Sequence, residues 1–423
     1  MNSNDREVDV AVIGGGPAGT AAGTQLARAG LSVLILEKEK FPRFCIGESL
    51  LPHGNDILRE LGVWDQLDRA GFLRKYGAEF LTADKSRLQR FWFRHNLGPE
   101  REHTYQVERA SFDKLMLDHA KTQGCEVREQ TRVLGLDQPD TENMTLNCES
   151  ADGSRSSVRA RWIVDASGRC AFAGTRTGLR KRSTQRSRRV AIYGHFEGVF
   201  RNSGKAEGHI TIVRLPECWF WFIPLAGDRT SVGLVVPSER LASGEKIGDV
   251  FAAAVEQAPE AADRMRNAVP VAPLRATGDY SWKFSSFATR RIVLAGDAAG
   301  FVDPVFSSGV LLALKSGMQA AKMIAKADAA GRPLRFFERT AYTRGVMRWM
   351  KQYVRIIRMF YDRAGFEVFM NPVACLSIPS SIGRLVGGDT QPGVADSIRM
   401  LLFRLICRLQ RVTPIAPAIP SLR

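Results

Sequence analysis

The stretch VDVAVIGGGPAG, residues 8–19, decides the fold. Val8 to Ile13 is a short apolar run that reads as a buried strand, and the glycines after it lead into an Ala- and Leu-rich segment, about Ala18 to Ala29, that reads as a helix. Leu31 to Leu36 reads as a second strand, which makes the unit βαβ. Gly14, Gly16 and Gly19 stand at G-x-G-x-x-G spacing, and Glu37 closes the second strand 23 residues after Gly14. Each part has a physical task. The glycines permit a tight turn, close approach of backbone to a pyrophosphate, and close packing of the helix. The helix N-terminus attracts the phosphates. A carboxylate at the strand end accepts bonds from ribose hydroxyls and disfavours a 2′-phosphate, so the nucleotide is FAD or NAD rather than NADP.

Outward from this unit, the 423 residues, with 44% hydrophobic content, describe an ordinary globular chain. No stretch approaches the ~20 consecutive apolar residues of a membrane span. The first residues enter the strand without a basic, hydrophobic leader, so a cytoplasmic location is expected and membrane association is not. The seven cysteines (Cys45, Cys125, Cys148, Cys170, Cys218, Cys375 and Cys407) are scattered without metal-ligand spacing and read as reduced and mostly packed; no metal is expected. The net charge of +16 comes without a nucleic-acid-binding motif and points instead to an acidic partner or anionic substrate.

Phe72 to Tyr105 lacks clean periodicity and reads as an inserted, substrate-facing region. The successive runs AIYGHFEGV, HITIVRL, CWFWFIPL and TSVGLVV, between Ala191 and Pro237, read as an antiparallel sheet. The expected class is α/β: a Rossmann-type nucleotide domain (about 1–70, 106–180 and 285–335) interlocked with an antiparallel-sheet substrate domain (about 71–105 and 181–284), followed by a helical tail, 366–423. The basic run RKRSTQRSRR, residues 180–189, reads as a solvated loop. Ile398, Leu402, Leu405, Leu409 and Val412 form a helical stripe expected to pack on the body, with Arg404, Arg408 and Arg411 on the opposite side.

Three further segments, at matching order and distance, resemble the glutathione-reductase-like and hydroxylase-like flavoproteins, and they decide for FAD. They are VERASFDKLML with Arg109 and Asp113, RWIVDASGR with Asp165 and Gly168, and RRIVLAGDAAGFVDP with Gly296, Asp297 and Pro304. The resemblance implies that Asp297 bonds the ribityl chain, that the following helix N-terminus faces the isoalloxazine, and that the cofactor contacts include Ala18, Lys38, Arg43, Ser49, Val133 and Gly309. With no second glycine-rich nucleotide motif, reduced flavin is expected from a separate reductase.

CWFWFIPL holds Trp219, Trp221, Ile223 and Pro224 as W-x-W-x-I-P, which resembles the signature of the flavin-dependent halogenases. Residues two apart share one face of a strand, so the two indoles could wall off the flavin. GFLRKYGAEF with Lys75, PRFCIGESLLP (42–52) and FVDPVFSSGV (301–310) are similar to segments of the members that act on phenols and pyrroles, over most of residues 7–365. The resemblance implies that FADH2 and O2 give a flavin hydroperoxide, that chloride or bromide held at the backbone of Ser308 and Gly309 is oxidised to hypohalous acid, and that Lys75 presents the halogen to an electron-rich ring. Lysine suits this because burial can lower its pKa from about 10.4 and make it a nucleophile. Tryptophan halogenases carry a glutamate where Phe306 stands, which argues against free indole and leaves phenolic or pyrrolic rings, often tethered to an acidic carrier protein. An aromatic hydroxylase, a geranylgeranyl-reductase-like oxidoreductase and a flavin-binding protein without turnover remain open. Hydroxylation independent of halide, anaerobic turnover, or retained FAD without oxygen consumption would mark them respectively.

Overall fold

The computed structural model describes residues 6–182, 189–242, 244–278, 282–371 and 377–422. The first strand, Arg6–Ile13, lies between Val33–Leu36 and Arg155–Asp165, parallel to both, and Glu126–Arg128 extends the sheet beyond Val33–Leu36. All four residues of Val33–Leu36 are buried, as expected of a parallel sheet covered on both faces. The 11-residue strand Arg155–Asp165 changes partners along its length. Residues 155–160 pair antiparallel with Met144–Ser150, whereas Ile163 to Asp165 pair parallel with Ile292–Leu294. A segment more than a hundred residues downstream thus brings its following loop to the end of the nucleotide sheet.

The second sheet runs Val269–Pro270, Arg189–Glu197, Thr230–Pro237, Trp219–Pro224, Ile210–Arg214, Gly77–Thr82, Leu88–Trp92, with Arg275–Gly278 also on Arg189–Glu197. One expectation needs correction. The sheet is not wholly antiparallel, because Gly77–Thr82 joins Ile210–Arg214 in parallel. Phe72 to Tyr105, where the sequence lacks clean periodicity, supplies two strands of this sheet. Gly77–Thr82 is buried along its whole length, so it carries no alternation, and Glu79 in its middle disguises it. Burial raises the pKa of that carboxyl, but bonds from Asn202 and Thr211 with Arg264 and Arg90 outweigh it and hold Glu79 below the usual range.

Helices Gly309–Ala329 and Phe336–Tyr361 follow the nucleotide sheet, and Arg363–Met370, Ile378–Val386 and Val394–Leu409 form the tail. The last helix buries Phe403 and Cys407, while Ile398, Leu405, Leu409 and Val412 are exposed and Leu402 is half-buried. The expected packing stripe therefore faces outward, because the other face meets Arg363–Met370, with the Cys407 thiol against the Gly365 carbonyl. The Gln410 side chain bonds Glu367 at 3.0 Å there. At 100° per residue Arg408, Arg404 and Arg411 lie about 80°, 120° and 140° from the centre of the stripe, toward the opposite side. Of the basic run, 183–188 lie outside the described residues, as does Cys375; Arg180–Arg182 pair with Trp282–Phe284. Cys125, Cys148 and Cys407 are buried, Cys45 and Cys218 half-buried and Cys170 exposed, all as free thiols. No described helix is long and apolar enough to cross a membrane.

Candidate functional site

A cavity of about 540 Å³ opens where the two sheets meet, at the carboxyl ends of the parallel strands. Gly14, Gly16 and Ala18 line one end, with Glu37, Lys38, Arg43, Arg109 and Val133. The backbone explains the glycines. Gly14 has φ +105°, and a Cβ there would lie 2.4 Å from the Ala166 carbonyl oxygen. Gly16 caps the helix Pro17–Arg28 without any side-chain bond, leaving its first N–H groups aimed at the cavity. Gly19 does not reach the wall. Its task is packing, since a Cβ would come within 1.9 Å of the Gly14 carbonyl oxygen. Glu37 is fixed by the Gly15 N–H on one oxygen (2.8 Å) and the Glu39 N–H on the other (2.9 Å), with lone pairs to spare for hydroxyls. These groups suit an adenosine pyrophosphate.

Asp113 is fully buried and grips Arg109 through both oxygens (2.8 and 2.9 Å) and Arg43 through one (2.9 Å), so it aims two cations at the cavity without touching it. Asp165 is likewise internal. It accepts from the N–H groups of Ser167, Ala173 and Gly174 and so staples the turn that carries Gly168 to the wall. Asp297 does line the cavity; burial raises its carboxyl pKa, opposed by Arg169 and Arg109.

Trp219 and Trp221 form part of the opposite wall, their ring centroids 5.9 Å apart. Trp221 lies over Gly233 of the neighbouring strand, where a Cβ would sit 2.1 Å from the ring, and donates to Ser231 Oγ. The Trp219 indole N–H donates to the Tyr361 hydroxyl at 2.7 Å, and that hydroxyl donates to Asp303 Oδ2 at 2.8 Å. Asp303 Oδ1 in turn accepts from the Val305 N–H, in the turn before Ser308. One phenol thus joins the tryptophan wall to the loop Asp303 to Gly309. Pro304, Ser307 and Gly309 line the cavity; Ser307 is left-handed (φ 55°), and Gly309 opens the 21-residue helix. Ser308 does not reach the wall. Its side chain is fully buried, with the hydroxyl unpartnered among the described residues. Phe306 packs with Phe80, Phe360 and Phe369 in an aromatic cluster.

Lys75 is buried, but it too stands behind the wall rather than on it. Its ammonium donates to Ser49 Oγ (2.8 Å) and to the Leu50 carbonyl (2.9 Å), and Ser49 is the residue that faces the cavity. The cause is its short strand, Leu73–Lys75, whose pairing with Thr104–Gln106 turns residue 75 inward. Burial pulls the Lys75 pKa from 10.5 down to about 7. Nearby His209 has both ring nitrogens unpartnered among the described residues, and burial pulls it down to about 4, with Arg90 and Lys75 adding to the shift against Glu79.

Sequence reading missed Glu48, His195, Asp303 and Tyr361. Glu48 lines the cavity and lies 2.6 Å from His195 Nε2, tying the 42–52 loop to the second sheet. Neither residue has a spacing signal, because the pair is 147 positions apart.

Residues 7–333 match the FAD binding domain family. The chain is 31% identical over 391 residues to a 1H-pyrrole-2-carbonyl-[peptidyl-carrier protein] brominase of Pseudoalteromonas luteoviolacea, covering 91% of this chain and 93% of the relative. It is 33% identical over 348 residues to the corresponding chlorinase of Pseudomonas fluorescens, covering 77% of each. The chain belongs to the flavin-dependent halogenase family. As a member it is a flavin-dependent oxidoreductase and binds FAD. Its fold also matches a flavoprotein/dehydrogenase from Cytophaga hutchinsonii, at TM-score 0.85 and 28% identity, over 96% of this chain and 100% of that one.

Proposed function

We propose that this halogenase acts on an electron-rich pyrrolic or phenolic ring presented by a carrier protein, and delivers the halogen through Lys75. Bound as FADH2, the cofactor would supply the two electrons that, with O2, turn chloride or bromide into hypohalous acid. Gly14, Gly16 and the helix beginning at Pro17 would hold the pyrophosphate, Glu37 the ribose and Asp297 the ribityl chain. The backbone N–H groups of Ser308 and Gly309, at the start of a long helix, offer a place for the halide. Trp219 and Trp221 would keep the organic ring away from the flavin.

The observation that carries the reading is a buried lysine directly behind the cavity wall, its ammonium bonded to Ser49, which lines the cavity. A pKa near 7 supplies both an ammonium that can hydrogen-bond hypohalous acid and a neutral amine that can take the halogen on nitrogen. Both functional relatives are named for a pyrrole on a peptidyl carrier protein, which supports the substrate class. Reduced flavin would come from a separate reductase. The test supplies FAD, a flavin reductase, NADH, O2 and bromide together with pyrrole-2-carbonyl-loaded carrier protein and a panel of free phenols and pyrroles. Bromine isotope doublets are expected from wild type and none from Lys75→Ala, which should still bind FAD. Hydroxylated product formed regardless of bromide would defeat the proposal.

A further inference from the structure

The helix Phe336–Tyr361 buries Tyr342, Val346, Trp349, Tyr353 and Ile356, and turns Arg344, Arg348, Lys351, Arg355 and Arg358 to solvent. At 100° and 1.5 Å per residue, those five cations occupy an arc of about 80° along about 21 Å of axis. The ion pairs of the neighbourhood are Arg332–Glu338, Arg363–Glu367 and Arg411–Asp362, and none of the five shares in them. The row is widened by the last helix, where Arg404 lies close enough to Arg355 and Arg408 to be repelled by both. Like charges gathered without a counter-charge weaken the free chain and are relieved when a partner supplies acid.

Beside this row runs the exposed ridge Ile398, Leu401, Leu405, Leu409 and Val412, each between 46% and 82% exposed. Large apolar side chains exposed together along one face are the kind of surface a partner covers. The basic row also leads to the chemistry. Arg358 is one turn before Tyr361, whose hydroxyl bonds Trp219 and Asp303 on the cavity wall.

We propose that the basic row and the apolar ridge together form the docking face for an acidic carrier protein, resting on the carrier-tethered substrate proposed above. An acidic amphipathic helix of the carrier would lay its apolar residues on the ridge and its carboxylates on the row. The distribution fits a folded protein better than an anionic bilayer: Arg404 and Arg408 border the ridge on one side, toward the helix that ends at the cavity, while Arg399 on the other flank is held by Asp396 at 3.1 Å. A helix lying in a bilayer surface gains from basic residues on both flanks.

The test uses the full-length, FAD-loaded chain and three probes: a carrier protein bearing pyrrole-2-carbonyl on its phosphopantetheine, the same thioester on pantetheine alone, and phosphatidylserine–phosphatidylcholine vesicles. The variant is Arg348→Glu/Lys351→Glu/Arg355→Glu, with Arg348→Lys/Arg355→Lys as the charge-preserving control. Carrier affinity, followed by fluorescence anisotropy, should fall about tenfold or more in the reversal variant and hold in the control, with a steep salt dependence in wild type and control but not in the reversal variant. FAD binding and turnover of the pantetheine thioester should be unchanged. Equal carrier affinity in wild type and reversal variant would overturn the proposal, as would charge-dependent vesicle binding without carrier binding. Charge-dependent carrier binding with no halogenated product would uphold the docking face and count against the function proposed above.

Discussion

Replacing Lys75 by methionine keeps the length and apolar stem of the side chain and removes only the amine, so it isolates what burying that amine does. The unfolded lysine takes up its proton as pH falls through 10.5, whereas the folded one waits until about 7. Between those values the unfolded chain binds more protons, and falling pH favours unfolding. With the two pKa values, the linkage relation gives a loss of about 4 kcal/mol at pH 7 and about 2 kcal/mol at pH 9, relative to high pH. Wild type should therefore gain about 2 kcal/mol on Lys75→Met between pH 7 and 9. The assay is urea unfolding followed by tryptophan fluorescence, on both FAD-saturated proteins at pH 7, 8 and 9. Taking the difference cancels every titration the two proteins share. Curves that stay parallel across the range would refute the depressed pKa, and the neutral-amine route to the ring with it.

Product formation in wild type should rise with pH through about 7 if the halogen travels on the lysine nitrogen, and fall if the ammonium only hydrogen-bonds hypohalous acid; stopped assays at constant bromide distinguish the two. Gly233→Ala places a Cβ against the Trp221 ring, displacing the indole from the wall, and should cut coupling of O2 consumption to halogenated product while the pyrophosphate end still binds. Tyr361→Phe leaves the Trp219 N–H and Asp303 without their shared partner, at a cost of about 1–3 kcal/mol, and should raise the halide KM more than it alters FAD affinity. Glu37→Gln turns an NH2 toward one of two backbone N–H groups and should weaken FAD binding about tenfold, measured by fluorescence quenching.

The nucleotide half was legible because its signals are local. A glycine cluster between strand and helix, with an acid at the next strand end, lies within thirty residues, and each member lines the cavity or packs the turn. The tryptophan pair was legible for the same reason, as strand neighbours two apart. What escaped depended on distant partners. Gly77–Thr82 was hidden by Glu79, whose charge is satisfied by residues up to 185 positions away. The depth of Lys75 follows from a strand pairing that no local pattern encodes. Amphipathic periodicity located the last helix but could not say which of its faces meets the body, since both carry apolar residues.

The hydroxyl of Tyr361 has one proton, and the indole and the carboxylate make opposite demands on it. It must receive from Trp219 and give to Asp303, so the contact is polarised in one direction. Any change in charge or position at the loop Asp303 to Gly309 is thereby transmitted to an indole, whose emission is sensitive to its N–H partner. The enzyme carries its own optical indicator: a shift in Trp219 emission on adding bromide, abolished in Tyr361→Phe, would register occupancy of that loop without any label.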